Sequence, residues 1–187
     1  MVREHRIEHG PVAADAERIE RTAVRAVAVR GGSALLLRGS QHGDLRFPGG
    51  GVDPGEDVGA ALRRELREEC GAGLRAVGEH LVTVVDERPA REPGCVFAHV
   101  SQYWSVEVDD ELGEVEHDLR ERGLGLEVVW LPVEEAVAVN RAVREGRRDE
   151  GWRQRTDTAA EPDALAWIER ETYVLELLAD GALPVSP

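Results

Sequence analysis

The chain contains no lysine: all 23 basic residues are arginine. Arginine presents a planar fork of donors that suits bidentate contacts to phosphate and carboxylate. Cysteine is scarce as well, with only Cys70 and Cys95, so no disulfide framework is implied and a reducing compartment fits. Long apolar runs are missing. None approaches the roughly 20 residues that cross a bilayer, and the polar, mixed residues 1–20 hold no apolar segment of the signal-peptide kind. A soluble cytoplasmic protein with no membrane partner is therefore expected. Excess positive charge is absent too: 37 acidic against 23 basic residues leave a net charge of −14. That balance argues against a sequence-independent nucleic-acid binder, which needs a basic surface. It leaves room for a nucleotide substrate, since a few arginines and a metal ion can hold a diphosphate locally. No internal repeat or long low-complexity segment is visible.

At 187 residues and 42% apolar content the chain is long enough for one domain with a helical extension and a real core. It is organised around residues 47–72, FPGGGVDPGEDVGAALRRELREECGA. Phe47 to Glu56 is a loop with four glycines and two prolines. Asp57 to Cys70 reads as a helix, because Val58, Leu62, Leu66 and Cys70 recur every fourth residue as one apolar stripe. Asp57 suits the N-cap and Gly71 the C′ position. Cys70 lies on the stripe and reads as a core residue. Glu65, Glu68 and Glu69 fall within an arc of roughly 100°, where like charges repel. A hard divalent cation is the natural offset, since Mg2+ takes oxygen ligands and prefers one or two carboxylates plus phosphate oxygens. Taken alone, the three acids also read as a solvated helix face.

The glycine loop and the spacings around it decide between these readings. Gly50, Glu56, Arg64, Glu65, Leu66, Glu68, Glu69, Gly71 and Ala72 stand at the spacings of the Nudix box, and the segment resembles it at every fixed position. Ala72 is the one soft departure, since a larger aliphatic residue is usual there. The resemblance covers about residues 20–145 and implies the Nudix α/β/α sandwich, an α/β fold with a mixed β-sheet between helices.

Periodicity places the remaining elements. Residues 1–20 read as an N-terminal arm with room for one short strand. Thr22–Val29 and Ala34–Leu37 form a β-hairpin about Gly31-Gly32. Leu81–Val85 is a strand, and Asp86–Gly94 a charged loop. Val96–Val108 is a long strand by its β-branched and aromatic content; its more polar face carries Phe97, His99, Ser101 and Tyr103. Asp109–Glu121 is acidic, as a loop or short helix. Leu126–Leu131 is a strand, and Val133–Arg144 a helix. Residues 146–187 hold a charged linker and a C-terminal amphipathic helix, Asp163–Asp180, that packs on the core or on a partner in a homodimer. Residues 21–145 are the expected domain.

The resemblance implies hydrolysis of a nucleoside diphosphate linked to some group X, by water attack at phosphorus. Such a reaction needs charge neutralisation, an activated water and a leaving group held in line. Glu65, Glu68, Glu69 and the Gly50 carbonyl are the expected ligands of Mg2+ (or Mn2+). Glu68 is the box residue suited to general base. Because family members differ in where the base sits, Glu111, Glu114, Glu116 and Glu121 are alternatives, with Glu121 first and Glu65 also in the catalytic set. Glu56 and Arg64 read as a supporting pair that ties loop to helix. Arg46 at the mouth of the loop reads equally as a substrate contact and as a surface side chain. Phe97 or Tyr103 could stack on a base, against the plainer reading of a half-buried strand. Subclass marks are weak: Pro89 lies one position from that of the ADP-ribose type, and Ser101-Gln102-Tyr103-Trp104 lacks the proline of the NADH type. A small nucleotide is expected, as a nucleoside triphosphate, ADP-ribose or nucleotide sugar. A nucleotide-sensing module without turnover is the alternative from another class.

Overall fold

A computed structural model of the chain describes residues 2–11, 15–40, 42–113, 115, 126–146 and 167–185. Its strands are β1 (Arg3–Glu8), β2 (Glu17–Val27), β3 (Val29–Arg30), β4 (Ser33–Arg38), β5 (Leu45–Arg46), β6 (Leu74–Pro89), β7 (Cys95–Val108) and β8 (Glu127–Pro132). The helices are α1 (Val58–Cys70), α2 (Val133–Arg144) and α3 (Ile168–Ala179). One sheet runs β1-β6-β7-β2. It is mixed, because β1 pairs with β6 and β2 with β7 in parallel, whereas β6 and β7 are antiparallel. The second sheet runs β3-β4-β5, with β8 on the other edge of β4.

Two apolar cores give the layers. On one side Leu62, Leu66 and Cys70 of α1 pack against Val24, Ala26, Leu35 and Leu37. On the other, Val133, Ala136 and Val137 of α2 and Val174, Leu175 and Leu178 of α3 pack against Val27, Leu36, Val82 and Tyr103. Strands β2 and β4 thus bury alternate residues on opposite sides, as a period of two demands. Each fully buried leucine contributes about 1.5–3 kcal/mol relative to exposure. The amphipathic C-terminal helix is seated in the core of its own chain, with Val174 and Leu175 fully buried.

Helix α1 has the expected bounds. The Asp57 carboxylate accepts from the Ala60 N–H at 2.8 Å. Gly71 takes the left-handed conformation with φ 62°, and the Ala72 N–H returns to the Leu66 carbonyl, which satisfies the last turn. Helix α2 also matches its expected range.

Elsewhere the structure differs from the expectation. Thr22–Val29 is not one strand of a hairpin: β2 ends at Val27, and the Ala28 carbonyl accepts from the Leu35 N–H. The chain changes sheet there, and only the short β3 pairs with β4 around Gly31-Gly32. The N-terminal arm supplies a full parallel strand to the edge of β6. Strand β6 runs on through Asp86 to Pro89, because β7 keeps pairing with it as far as Val96. Residues 147–166, with the linker and the first turn of the expected C-terminal helix, lie outside the described residues.

Candidate active site

The glycine loop joins the edge of the mixed sheet. The Val24 N–H donates to the Gly50 carbonyl at 2.9 Å, the Ala26 N–H to Pro48 at 2.8 Å, and the Val52 N–H returns to Thr22 at 3.3 Å. So close an approach needs residues without a side chain. Gly49 has φ 135°, and a Cβ there would overlap the Val24 carbonyl; a Cβ on Gly50 would overlap the Glu65 carboxylate.

Side chains from three directions hold this loop. From β2, the buried Arg25 donates through Nη1 to the carbonyls of Phe47 and Gly49. From α2, Asn140 accepts from the Leu45 N–H at 2.8 Å and donates to the Leu45 carbonyl at 2.9 Å. From α3, the fully buried Glu171 accepts from the Phe47 N–H, the Tyr103 hydroxyl and Arg170 Nε, each at 3.1 Å. None of these three was a candidate from sequence. Each did leave a signal, since Arg25 interrupts the apolar run of β2, and Asn140 and Glu171 stand on the apolar stripes of their helices.

Beneath the loop lie the carboxylates of α1. Glu65 and Glu69 are each only 7% exposed, and Glu69 Oε2 accepts from the Gly49 N–H at 2.6 Å. Burial pushes the Glu69 carboxyl up to about 7, against the opposing pull of Arg25 and the Gly49 N–H. Burial raises Glu65 too, while its hydrogen bond from Arg64 works the other way. Arg64 is the hub of the supporting pair. Nε and Nη2 donate to the two oxygens of Glu56 at 3.1 and 2.9 Å, Nη2 also to the Gly51 carbonyl at 3.0 Å, and Nη1 to Glu65 at 2.6 Å. The bond from Arg64 holds the Glu56 carboxyl below its usual range. Glu68 is the most open of the three acids, its side chain 31% exposed and 3.6 Å from Arg64.

Among the described residues no three carboxylate, imidazole or thiolate groups converge on one point. Arg64 draws Glu65 and Glu68 towards itself, and Glu69 is turned to Gly49. The donor set nevertheless suits a hard cation. Two nearly buried carboxylates carry charge that burial penalises, and the Gly50 carbonyl keeps a lone pair beyond its bond to Val24. Mg2+ takes few protein oxygens and completes its shell with water and phosphate.

A family model described as the NUDIX domain matches residues 19–150. The chain belongs to the Nudix family. The match spans the glycine loop and the Nudix helix α1 as well as both long strands. Among curated relatives, the nucleoside triphosphatase NudI of Escherichia coli is 43% identical over 60 residues, which is 29% of this chain and 43% of that protein. The chain thus spans less than half the length of the relatives it matches. Among solved structures, the Escherichia coli ORF135 protein is similar with 29% identity, covering 69% of this chain and 83% of that one at a TM-score of 0.45. A MutT Nudix hydrolase from Burkholderia pseudomallei shows 25% identity over 62% and 85% of the two chains, at a TM-score of 0.44.

The other expected site residues are dispersed. The Arg46 guanidinium lies over the Trp167 ring at 5.2 Å, and among the described residues its buried Nε has no hydrogen-bond partner. Its positive charge is a minor influence that favours the ionised form of the Glu69 carboxyl. Phe97 lines a cleft of about 740 Å3 with His9, Asp86, His99 and Arg170. Tyr103 does not offer a face to a base. It is 0% exposed, edge-on to Phe47 at 5.6 Å, with its hydroxyl committed to Glu171. Its alternation with Phe97 is kept, but the inner end of that face is covered by α3. Glu111 is exposed, whereas Glu114, Glu116 and Glu121 lie outside the described residues.

Proposed function

We propose that this Nudix domain hydrolyses a phosphoanhydride bond of a small nucleotide in a reaction that depends on Mg2+. The observation that carries the reading is the pair of nearly buried carboxylates, Glu65 and Glu69, beneath a glycine loop pinned to the sheet edge. Glu65 meets Arg64 and Glu69 meets the Gly49 N–H, yet burial still penalises the charge of both, and a cation bound with a substrate diphosphate would relieve it. Glu65, Glu69 and the Gly50 carbonyl would hold the ion, with Glu68 beside them. When bound, Mg2+ neutralises charge on the phosphate oxygens.

This chain's own residues do the rest. Arg46 and Arg21, the latter with its guanidinium against Gly51, bind phosphate oxygens and orient the bond to be broken. Glu68, the open carboxylate, takes the proton of the attacking water as the P–O bond to the leaving phosphate breaks. Arg64 and Glu56 keep loop and helix in register, and Arg64 fixes the Glu65 carboxylate. The nucleoside reaches towards the cleft at Phe97. The likeness to a nucleoside triphosphatase supports a nucleoside triphosphate before ADP-ribose or a nucleotide sugar.

The test compares wild type with Glu68→Gln for nucleotide binding and for turnover, with and without Mg2+. Binding kept and turnover lost in the variant is the expected result. Equal binding and no turnover in either protein would instead support a nucleotide-sensing module.

A further inference from the structure

The cleft beside the Nudix loop contains a histidine whose protonation state follows from its neighbour. Arg170 Nη1 lies 3.2 Å from His99 Nδ1. A guanidinium has donors only, so Nδ1 must be the acceptor and the ring proton must sit on Nε2. Arg170 cannot swing away cheaply, because it is 6% exposed and also donates to Asp86 at 2.9 Å and to Glu171 at 3.1 Å. Burial and the arginines at 170, 25, 21 and 88 lower the His99 imidazole to about 3, which keeps it neutral at physiological pH. Among the described residues Nε2 has no hydrogen-bond partner, and the side chain lines the cleft.

The rest of the cleft repeats the same polarity. Arg88 and Arg91 line it with His99, and the Arg88 guanidinium lies over the Phe97 ring at 5.0 Å. Among the described residues its one interior carboxylate, Asp86, is already engaged by Arg170 and His9; Glu92 is exposed at the rim. Phe97 and His99 project from the same face of β7, their rings 6.5 Å apart. In register, His99 stands beside Arg21 of β2, whose guanidinium reaches Gly51 of the Nudix loop. A ligand with its phosphates at the loop and its other end in this cleft would pass His99. At about 740 Å3 the cleft is of ordinary size for a small ligand.

We propose that His99 Nε2–H, fixed as a donor by Arg170, makes the cleft select nucleobases with a keto oxygen at purine C6 or pyrimidine C4 (guanine, uracil or thymine) over those with an amino group at that position (adenine or cytosine). This rests on the nucleotide reading above and adds the base class to it. An exocyclic amino group would meet the His99 N–H and the guanidinium groups as donor against donor, leaving both unpaired; a keto oxygen accepts from them.

The experiment measures dissociation constants of GTP against ATP and UTP against CTP, using Glu68→Gln so that binding is read without turnover. A keto preference of about tenfold is expected in at least one pair. Added His99→Leu should bring that ratio to about one, while His99→Gln, which keeps a donor, should retain part of it. Indifference of the parent protein, or an unchanged ratio in a folded His99→Leu protein, would overturn the proposal. The parent ratio decides the matter even if His99→Leu fails to fold. Keto preference without turnover in wild type would overturn the hydrolase reading alone; absence of all nucleotide binding would overturn both.

Discussion

Replacing Asn140 by alanine should destabilise the protein by about 2–5 kcal/mol, although Asn140 touches no candidate catalytic group. Strand β5 has only two residues, Leu45 and Arg46, paired with β4 on one side. On its other side the Asn140 amide serves as the missing strand, with one bond to the Leu45 N–H at 2.8 Å and one to its carbonyl at 2.9 Å. Leu45 and Asn140 are both 0% exposed. Asn140→Ala leaves a buried donor and a buried acceptor unpaired, each costing about 1–3 kcal/mol, and a water entering the vacated space recovers part of the sum. Urea unfolding reads the effect as a lower midpoint at unchanged slope. Asn140→Asp sharpens the test. Its carboxylate still accepts from the Leu45 N–H but turns a lone pair on the Leu45 carbonyl, so its deficit at neutral pH should shrink on acidification, when the carboxyl can donate. Since Leu45 leads directly into the glycine loop, turnover should fall with stability in both variants. A loss below about 1 kcal/mol in Asn140→Ala, with turnover intact, would refute the claim that α2 holds the loop.

Arg64→Lys keeps the charge but loses the fork that joins Glu56, Gly51 and Glu65, so turnover should fall about 10–100-fold while the far-ultraviolet spectrum is unchanged. Unaltered turnover and Mg2+ affinity in Arg64→Ala would show that the hub is dispensable. Glu171→Gln places an amide N–H opposite the Phe47 N–H and removes the charge beside Arg170; a loss of about 2–4 kcal/mol is expected in urea unfolding. The His99 imidazole is depressed in the folded state, so its contribution is present above the unfolded value of about 6.5 and lost as pH falls towards 3. The groups facing it are Arg170 of α3, Arg21 and Arg25 of β2, and Asp86 and Arg88 of β6. Between pH 6 and pH 5 wild type should lose about 1 kcal/mol more than His99→Gln, and parallel pH profiles of the two proteins would contradict this.

Local signals were legible in the sequence, and long-range ones were not. The stripe from Val58 to Cys70, with Asp57 and Gly71 at its ends, specifies α1 within a single stretch of chain, and the structure forms it as expected. Gly31-Gly32 likewise announces its turn. By contrast, nothing near Thr22–Val29 shows that β2 and β3 belong to different sheets, because that depends on which distant strand takes each free edge. Tyr103 shares alternation with Phe97, yet one is sealed under α3 and the other lines the cleft; only the docking of α3 separates them. The glycine loop and the Nudix carboxylates were readable because the motif fixes their spacing within a single stretch of chain. The residues that hold the loop in place, Arg25, Asn140 and Glu171, come from three elements far apart in sequence. They showed only as polar residues at apolar positions.

The most direct test of the account is the rate of phosphoanhydride cleavage across nucleoside triphosphates, ADP-ribose, nucleotide sugars and dinucleoside polyphosphates, each with Mg2+ and with chelator. The account predicts Mg2+-dependent turnover of one class, with nucleoside triphosphates first, abolished in Glu69→Gln. Turnover that persists in chelator or in Glu69→Gln would contradict the role assigned to the buried carboxylates. Silence across the panel would contradict the hydrolase itself.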